Sequence, residues 1–196
     1  MTHVTQVEPK PLPFNAKSLR GLSEKLMTSH WENNYGGAVK ALNVTSAMLA
    51  SLAASSDPPY LYNDFKREQL IRTGSVVLHE LYFENLGGDG IASSGIRTRL
   101  SQSFGTFDSW ETEFRRIGQG LAGGSGWVVL GYNEHLRLLE NYWLADHAHN
   151  APHTRPIVVM DMYEHAYHLD YGAAAGRYID AFFANIQWDV VARRLE

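Results

Sequence analysis

Nine histidines in a chain without cysteine are the side chains whose chemistry stands out: His3, His30, His79, His135, His147, His149, His153, His165 and His168. His3 falls in a polar terminus and His135 in a turn, where an imidazole is ordinarily a solvated surface group. His30 and His79 differ, because helical spacing puts each on an apolar face, and two facing helices can aim imidazoles at one centre. Taken singly, each also suits a core histidine. Asp161-x-x-x-His165 adds a carboxylate and an imidazole that neighbour each other on a helix face or at the exit of a strand. Three imidazoles and one carboxylate from three separate segments suit a divalent or trivalent first-row ion such as manganese or iron, with room left for solvent or substrate. Zinc accepts the same ligand types. The absence of cysteine excludes a disulfide, a thiolate nucleophile and any Cys-ligated zinc or iron–sulfur site.

The elements that must position these groups follow from spacing and punctuation. Pro9, Pro11 and Pro13 predict an extended arm, since proline fixes φ and cannot join a helix interior. Ser23 is a natural N-cap, after which Leu26, Met27 and His30 recur at helical spacing. The pattern continues through Val39, Leu42, Met48, Leu49 and Leu52, with Gly36-Gly37 as the expected weak point, and stops at Asp57-Pro58-Pro59. A second helix is expected over about 64–86, with Leu70, Val77, His79 and Leu81 facing inward and Gly87-Gly88 ending it. Shorter helices are expected near 96–103 and 108–121, the latter capped by Thr106 or Asp108. The period then changes, predicting strands over about 124–130, 136–145 and 156–160, before closing helices near 172–184 and 188–195. Helices first and a small antiparallel sheet later indicate an α+β architecture: an N-terminal arm and helical hairpin over 1–88, and a C-terminal α/β lobe with a three-stranded antiparallel sheet over 89–196.

Composition narrows the function classes. A chain of 196 residues that is 44% hydrophobic can bury a real core, which excludes disorder as the main state. With 17 Lys plus Arg against 21 Asp plus Glu, a net charge of -4 lacks the positive field that non-specific binding to nucleic acid or an anionic membrane needs. No apolar stretch approaches the roughly 20 residues of a bilayer span, and the first residues lack both a basic and an apolar leader region. A cytoplasmic protein is the expectation.

In their order along the chain, five motifs resemble the iron/manganese superoxide dismutases. Asp161-Met162-Tyr163-Glu164-His165-Ala166-Tyr167 is similar to the family's D-x-W-E-H-A-Y, with Tyr163 in place of the usual tryptophan. Pro11-Leu12-Pro13-Phe14 resembles its PLPY, and His79-Glu80-Leu81-Tyr82-Phe83-Glu84-Asn85-Leu86 its H-x-x-F-W-x-N-L. Phe104-Gly105-Thr106-Phe107 and Gly124-Ser125-Gly126-Trp127 are similar to its FGSF and GSGW. The resemblance spans about residues 11–193 and implies disproportionation of superoxide to oxygen and hydrogen peroxide at one iron or manganese ion per chain. It makes His30, His79, Asp161 and His165 the ligands; His30 is placed by counting back from Ala41-Leu42-Asn43, which matches the family's N-L-N. It gives Glu164 a contact with His165 of the partner subunit in a homodimer or tetramer. It makes His147, in Asp146-His147, the group that hydrogen-bonds the solvent beside the metal, with His149 as alternate. Trp127 and Tyr163 become the apolar lining of the pocket.

The pattern also breaks. The family's gateway histidine and tyrosine correspond to Asn34 and Ala38, and a tyrosine three residues past the last ligand corresponds to His168. An Asn34–His168 hydrogen bond between subunits is a substitute with suitable donors and acceptors. Ala38 leaves no hydroxyl and an open space for water or a larger molecule. Tyr35 on a regular helix points elsewhere unless Gly36-Gly37 distorts the backbone. The family's alternative glutamine position is Ser75, too short to reach the metal's solvent. Slower turnover, an altered pH dependence or altered peroxide sensitivity is therefore expected. The competing reading is an iron- or manganese-binding protein of the same fold without dismutation; a purely structural domain leaves the four ligands without a reason.

Overall fold

The computed structural model describes residues 6–196, so His3 lies outside the described part. The proline-rich arm is pinned rather than loose: Val7 exchanges two hydrogen bonds of 2.8 Å with the side-chain amide of Asn43. Ser23 caps α1 (Glu24–Ser29) by accepting from the Leu26 amide, as its residue type dictates. A π-helical turn, His30–Tyr35, leads without a break into α2 (Gly36–Leu52). The distortion thus lies before Gly36-Gly37 and not at it, both glycines being helical. The turn is wide because the Gly36 amide bonds back five residues to the Trp31 carbonyl.

Helix α3 (Pro59–Glu84) begins earlier than the apolar pattern suggests, with Pro59 opening its first turn, where a missing N–H costs nothing. Its buried stripe is Ser75, Val76, Leu78, His79, Tyr82 and Phe83. Leu70 and Val77, expected inward, are 57% and 45% exposed. Neither belongs to the i, i+3, i+4, i+7 set that begins at Ser75 and includes His79.

After α4 (Ser94–Phe104) and α5 (Phe107–Gly120), capped by Thr106, the chain forms β1 (Trp127–Asn133), β2 (Leu138–Leu144) and β3 (Thr154–Asp161). The sheet is antiparallel in the order β2-β1-β3. Its first strand begins later than the glycine-rich run suggests, because Gly126 sits at φ 140 beneath the Leu144 carbonyl and extends into β1 only from Trp127. A short 3₁₀ turn, Glu164–Ala166, precedes α6 (His168–Tyr171), α7 (Ala175–Ala184) and α8 (Trp188–Leu195).

One apolar cluster runs through both halves, from Leu26 and Val39 of the hairpin to Val128, Val159 and Phe182 of the sheet and α7. Asn85, just past α3, joins them through polar groups: its side-chain oxygen accepts from the Val159 amide and its carbonyl from the Gln187 amide, each at 2.7 Å. The register pairs Trp127, the first residue of β1, with Asp161, the last of β3. That end of the sheet faces the hairpin, since Asp161 lies within hydrogen-bond reach of His30 and close to His79 of α3. Among the described residues, no helix is long and apolar enough to cross a membrane.

Candidate metal centre

Each of the four predicted ligands comes from a different place in the fold. His30 opens the π turn, His79 lies on the buried stripe of α3, Asp161 ends β3, and His165 lies in the 3₁₀ turn that follows. One oxygen, Asp161 Oδ2, lies 3.1 Å from His30 Nε2, 3.2 Å from His165 Nε2 and 3.6 Å from His79 Nε2. One ligand atom from each of the four residues lies within 4.8 Å of the others. Donors held about 2.1 Å from a common ion stand about 3–3.6 Å apart when their angles at it are 90–120°, so these separations fit a first-row metal. His79 Nε2 is buried with no hydrogen-bond partner, a cost that a bound cation removes.

The surroundings set the protonation that ligation needs. The Ser75 carbonyl lies 2.7 Å from His79 Nδ1, which keeps the proton there and the Nε2 lone pair toward the centre. Ser75 therefore acts through its backbone, a role its short side chain conceals in the sequence. Burial pushes the His79 imidazole down to about 3, with His30 adding to the depression against the opposing pull of Asp161. Burial likewise lowers His30, opposed by its hydrogen bond to Asp161. Burial alone raises Asp161, but the charge of His165 and the hydrogen bonds from His165 and His30 outweigh it and hold the carboxyl well below the usual range. Asp161 Oδ1 also accepts from the Tyr163 amide at 2.8 Å, and its main-chain carbonyl from the Tyr178 hydroxyl at 2.6 Å.

Acid is therefore expected to destabilise the metal-free protein. His79 and His30 stay neutral when folded but take protons near pH 6.5 when unfolded, so the unfolded state binds more protons as pH falls. His79, held neutral to about pH 3 when folded, removes about 1.4 kcal/mol of stability per pH unit below 6.5, and His30 shifts stability in the same direction, while Asp161 keeps its charge throughout the window. Urea unfolding of metal-free protein is expected to show a lower midpoint at pH 5 than at pH 7; an unchanged midpoint would contradict neutral, buried ligands.

Three further residues enclose the centre. Trp127 is fully buried and meets His79 edge-on at 5.1 Å, and its indole N–H donates to His147 Nδ1 at 3.1 Å. His147, lowered by burial, thereby keeps its own proton on Nε2. Tyr163 stacks between His147 at 4.7 Å and His165 at 5.3 Å, and burial, reinforced by Asp161 and Asp146, pushes its phenol up to about 12. His149 is exposed and bonds Asp146 at 2.8 Å, so of the two loop histidines it is His147 that lies beside the centre, its ring 6.1 Å from that of His79.

Glu164 and His168 are exposed beside the half-buried His165, and Asn34 is half-buried on the π turn. Ala38 is 4% exposed within the apolar core, so its side chain does not open a space onto solvent. Tyr35 does come close, its ring 6.3 Å from that of His79, because the π turn brings a residue five positions on back toward the side of His30. Its hydroxyl donates to Glu80 at 2.9 Å and accepts from the Lys10 amide at 2.8 Å, so it is already committed. Sequence spacing also misses Tyr178, although Tyr178 and Phe182 at i, i+4 mark the buried face of α7.

A helical hairpin and an α+β lobe that close three imidazoles and one carboxylate between them define a site for one first-row metal ion. Residues 92–194 match the family described as iron/manganese superoxide dismutases, C-terminal domain. The chain is 48% identical over 187 residues to a superoxide dismutase (Fe) of Cupriavidus metallidurans, covering 95% of each chain. It is 34% identical to a superoxide dismutase (Fe) of Aquifex pyrophilus, covering 98% of this chain and 92% of that one. It is 29% identical to a superoxide dismutase (Mn) of Halobacterium salinarum, covering 98% and 96%. The chain belongs to the iron/manganese superoxide dismutase family.

Proposed function

We infer that this chain is a superoxide dismutase using one iron or manganese ion, held by His30, His79, Asp161 and His165. The observation that carries the assignment is the convergence of three imidazole Nε2 atoms on Asp161 Oδ2, at 3.1–3.6 Å, in a chain of this family. Bound there, the ion supplies the one-electron oxidation and reduction that convert two superoxide ions into oxygen and hydrogen peroxide. The protein's share is electrostatic and geometric. Neutral His30 and His79 present lone pairs, and one buried carboxylate offsets part of the cation's charge. Trp127, Tyr163 and His147 keep bulk water from the centre, and His147 Nε2 offers a proton donor beside it.

In the same proposal, Glu164 contacts His165 of the partner subunit in a homodimer or tetramer, and Asn34 bonds His168 across that interface; a crystal structure with Asn34 and His168 beyond direct or water-bridged reach would sink the latter pair. The lobes divide near residue 88, and the protein works in the cytoplasm as an antioxidant enzyme. With Asn34 and Ala38 where the family carries histidine and tyrosine, proton supply is poorer and turnover per metal is slower than in ordinary members.

The test is superoxide turnover per metal ion, on protein whose metal content is measured by elemental analysis, beside a His79→Ala control. Turnover near one active ion per chain, lost in the control, is the expected result. Metal at about one per chain with no turnover would instead indicate the non-dismutase metalloprotein.

A further inference from the structure

Lys10 meets the π turn with its main chain and α3 with its side chain. Its amide donates to the Tyr35 hydroxyl and its carbonyl accepts from the Trp31 indole N–H, both at 2.8 Å. Its ammonium pairs with Glu80 Oε2 at 2.5 Å, while the Tyr35 hydroxyl donates to Glu80 Oε1 at 2.9 Å. Tyr35 is 1% exposed, so its hydroxyl is a buried polar group with donor and acceptor both satisfied. None of these three residues is among the four ligands, yet their positions in the chain are telling. Tyr35 closes the π turn that His30 opens, and Glu80 directly follows His79.

The Tyr35–Glu80 bond therefore joins the two helical segments beside two of the ligands. Apolar packing alone tolerates small slides and rotations of one helix against another, whereas a buried hydroxyl with both its hydrogen bonds made favours one arrangement, even though the Lys10 end of the network is solvent-exposed. The rings of His30 and His79 stand 5.1 Å apart at 83°, and Tyr35 packs 6.3 Å from His79 and 6.0 Å from Phe83. We propose that Tyr35, Glu80 and Lys10 form a latch that holds His30 and His79 in register for the metal, making them positioning residues of the centre. The proposal rests on the metal-centre reading above. It also gives the N-terminal arm a purpose: Lys10 closes the latch from outside the hairpin.

The test uses the full-length protein loaded with iron, with two readouts besides activity: the rate of iron loss to excess chelator and the electron paramagnetic resonance spectrum of the ferric form. Tyr35→Phe keeps the ring and removes only the hydroxyl. It is expected to speed iron loss roughly 10-fold, the lower end of the range for lost outer contacts, and to change the rhombicity of the spectrum. Glu80→Gln keeps an oxygen for the Tyr35 hydroxyl and is expected to retain a spectrum close to wild type. Tyr35→Phe combined with Glu80→Ala is expected to add little to Tyr35→Phe alone, as members of one network do. Should Tyr35→Phe not fold, Glu80→Ala carries the same expectation. A Tyr35→Phe protein with the wild-type spectrum and release rate would overturn the latch, whatever its melting temperature. Wild-type protein that takes up neither iron nor manganese would overturn the metal centre itself, and the latch with it.

Discussion

Asp161→Asn is expected to leave a folded protein that no longer keeps its metal. The substitution preserves shape but removes the negative charge, and it turns an amide toward the three Nε2 atoms that converge on Oδ2. Losing a contact outside the ligands commonly costs roughly 10–100-fold in metal affinity, and losing the only anionic ligand should cost more. A 100-fold loss at saturating metal removes about 2.7 kcal/mol of metal-derived stability. For a chain of this size that is about 5–10 °C in melting temperature. Thermal melts with and without metal, followed by desalting and elemental analysis, read the effect directly. An Asp161→Asn protein that retains one ion per chain and the wild-type melting gain would show that the carboxylate is not a ligand.

Gly74→Ala is expected to destabilise, against the rule for exposed helices. Gly74 lies inside α3, where replacing glycine by alanine ordinarily adds about 0.5–1 kcal/mol. Here a Cβ would stand 1.7 Å from the His147 carbonyl oxygen and 2.8 Å from its carbonyl carbon, both backbone atoms. The loop must move, at a cost of about 1–3 kcal/mol, and it takes His147 away from the Trp127 indole. Gly37→Ala supplies the contrast, since Gly37 is also helical but a Cβ there would meet nothing within 4 Å, and the ordinary gain should appear. Paired denaturant midpoints, with turnover per metal for both variants, check the prediction. A stabilised Gly74→Ala protein of unchanged turnover would mean that the loop carrying His147 yields freely.

Much of the fold is legible in the sequence because the physics is local. Ser23 and Thr106 act as caps by residue type alone, and runs of β-branched, aromatic and other apolar residues bounded by turn residues mark the three strands. The exceptions have equally physical causes. The weak point expected at Gly36-Gly37 lies one turn earlier, in a π turn whose His30 and Tyr35 both pack against His79 and Phe83 of α3, contacts between segments that glycine content does not report. Hydrophobicity points Leu70 and Val77 inward, whereas the phase of α3 is decided by the surface that Ser75, Val76 and His79 must face.

The amino-acid sequence by itself determined the ligand types, the α+β order of elements and, through its motifs, the family. Those depend on residue chemistry and on spacings of a few residues, which need no third dimension. Only the tertiary structure decided that Asp161 Oδ2 is the point on which three imidazoles converge, that His147 rather than His149 packs beside His79, and that Tyr35 turns to Glu80 and Lys10. Each of these joins residues tens of positions apart, and such distances are set by how helices and sheet close on a common core.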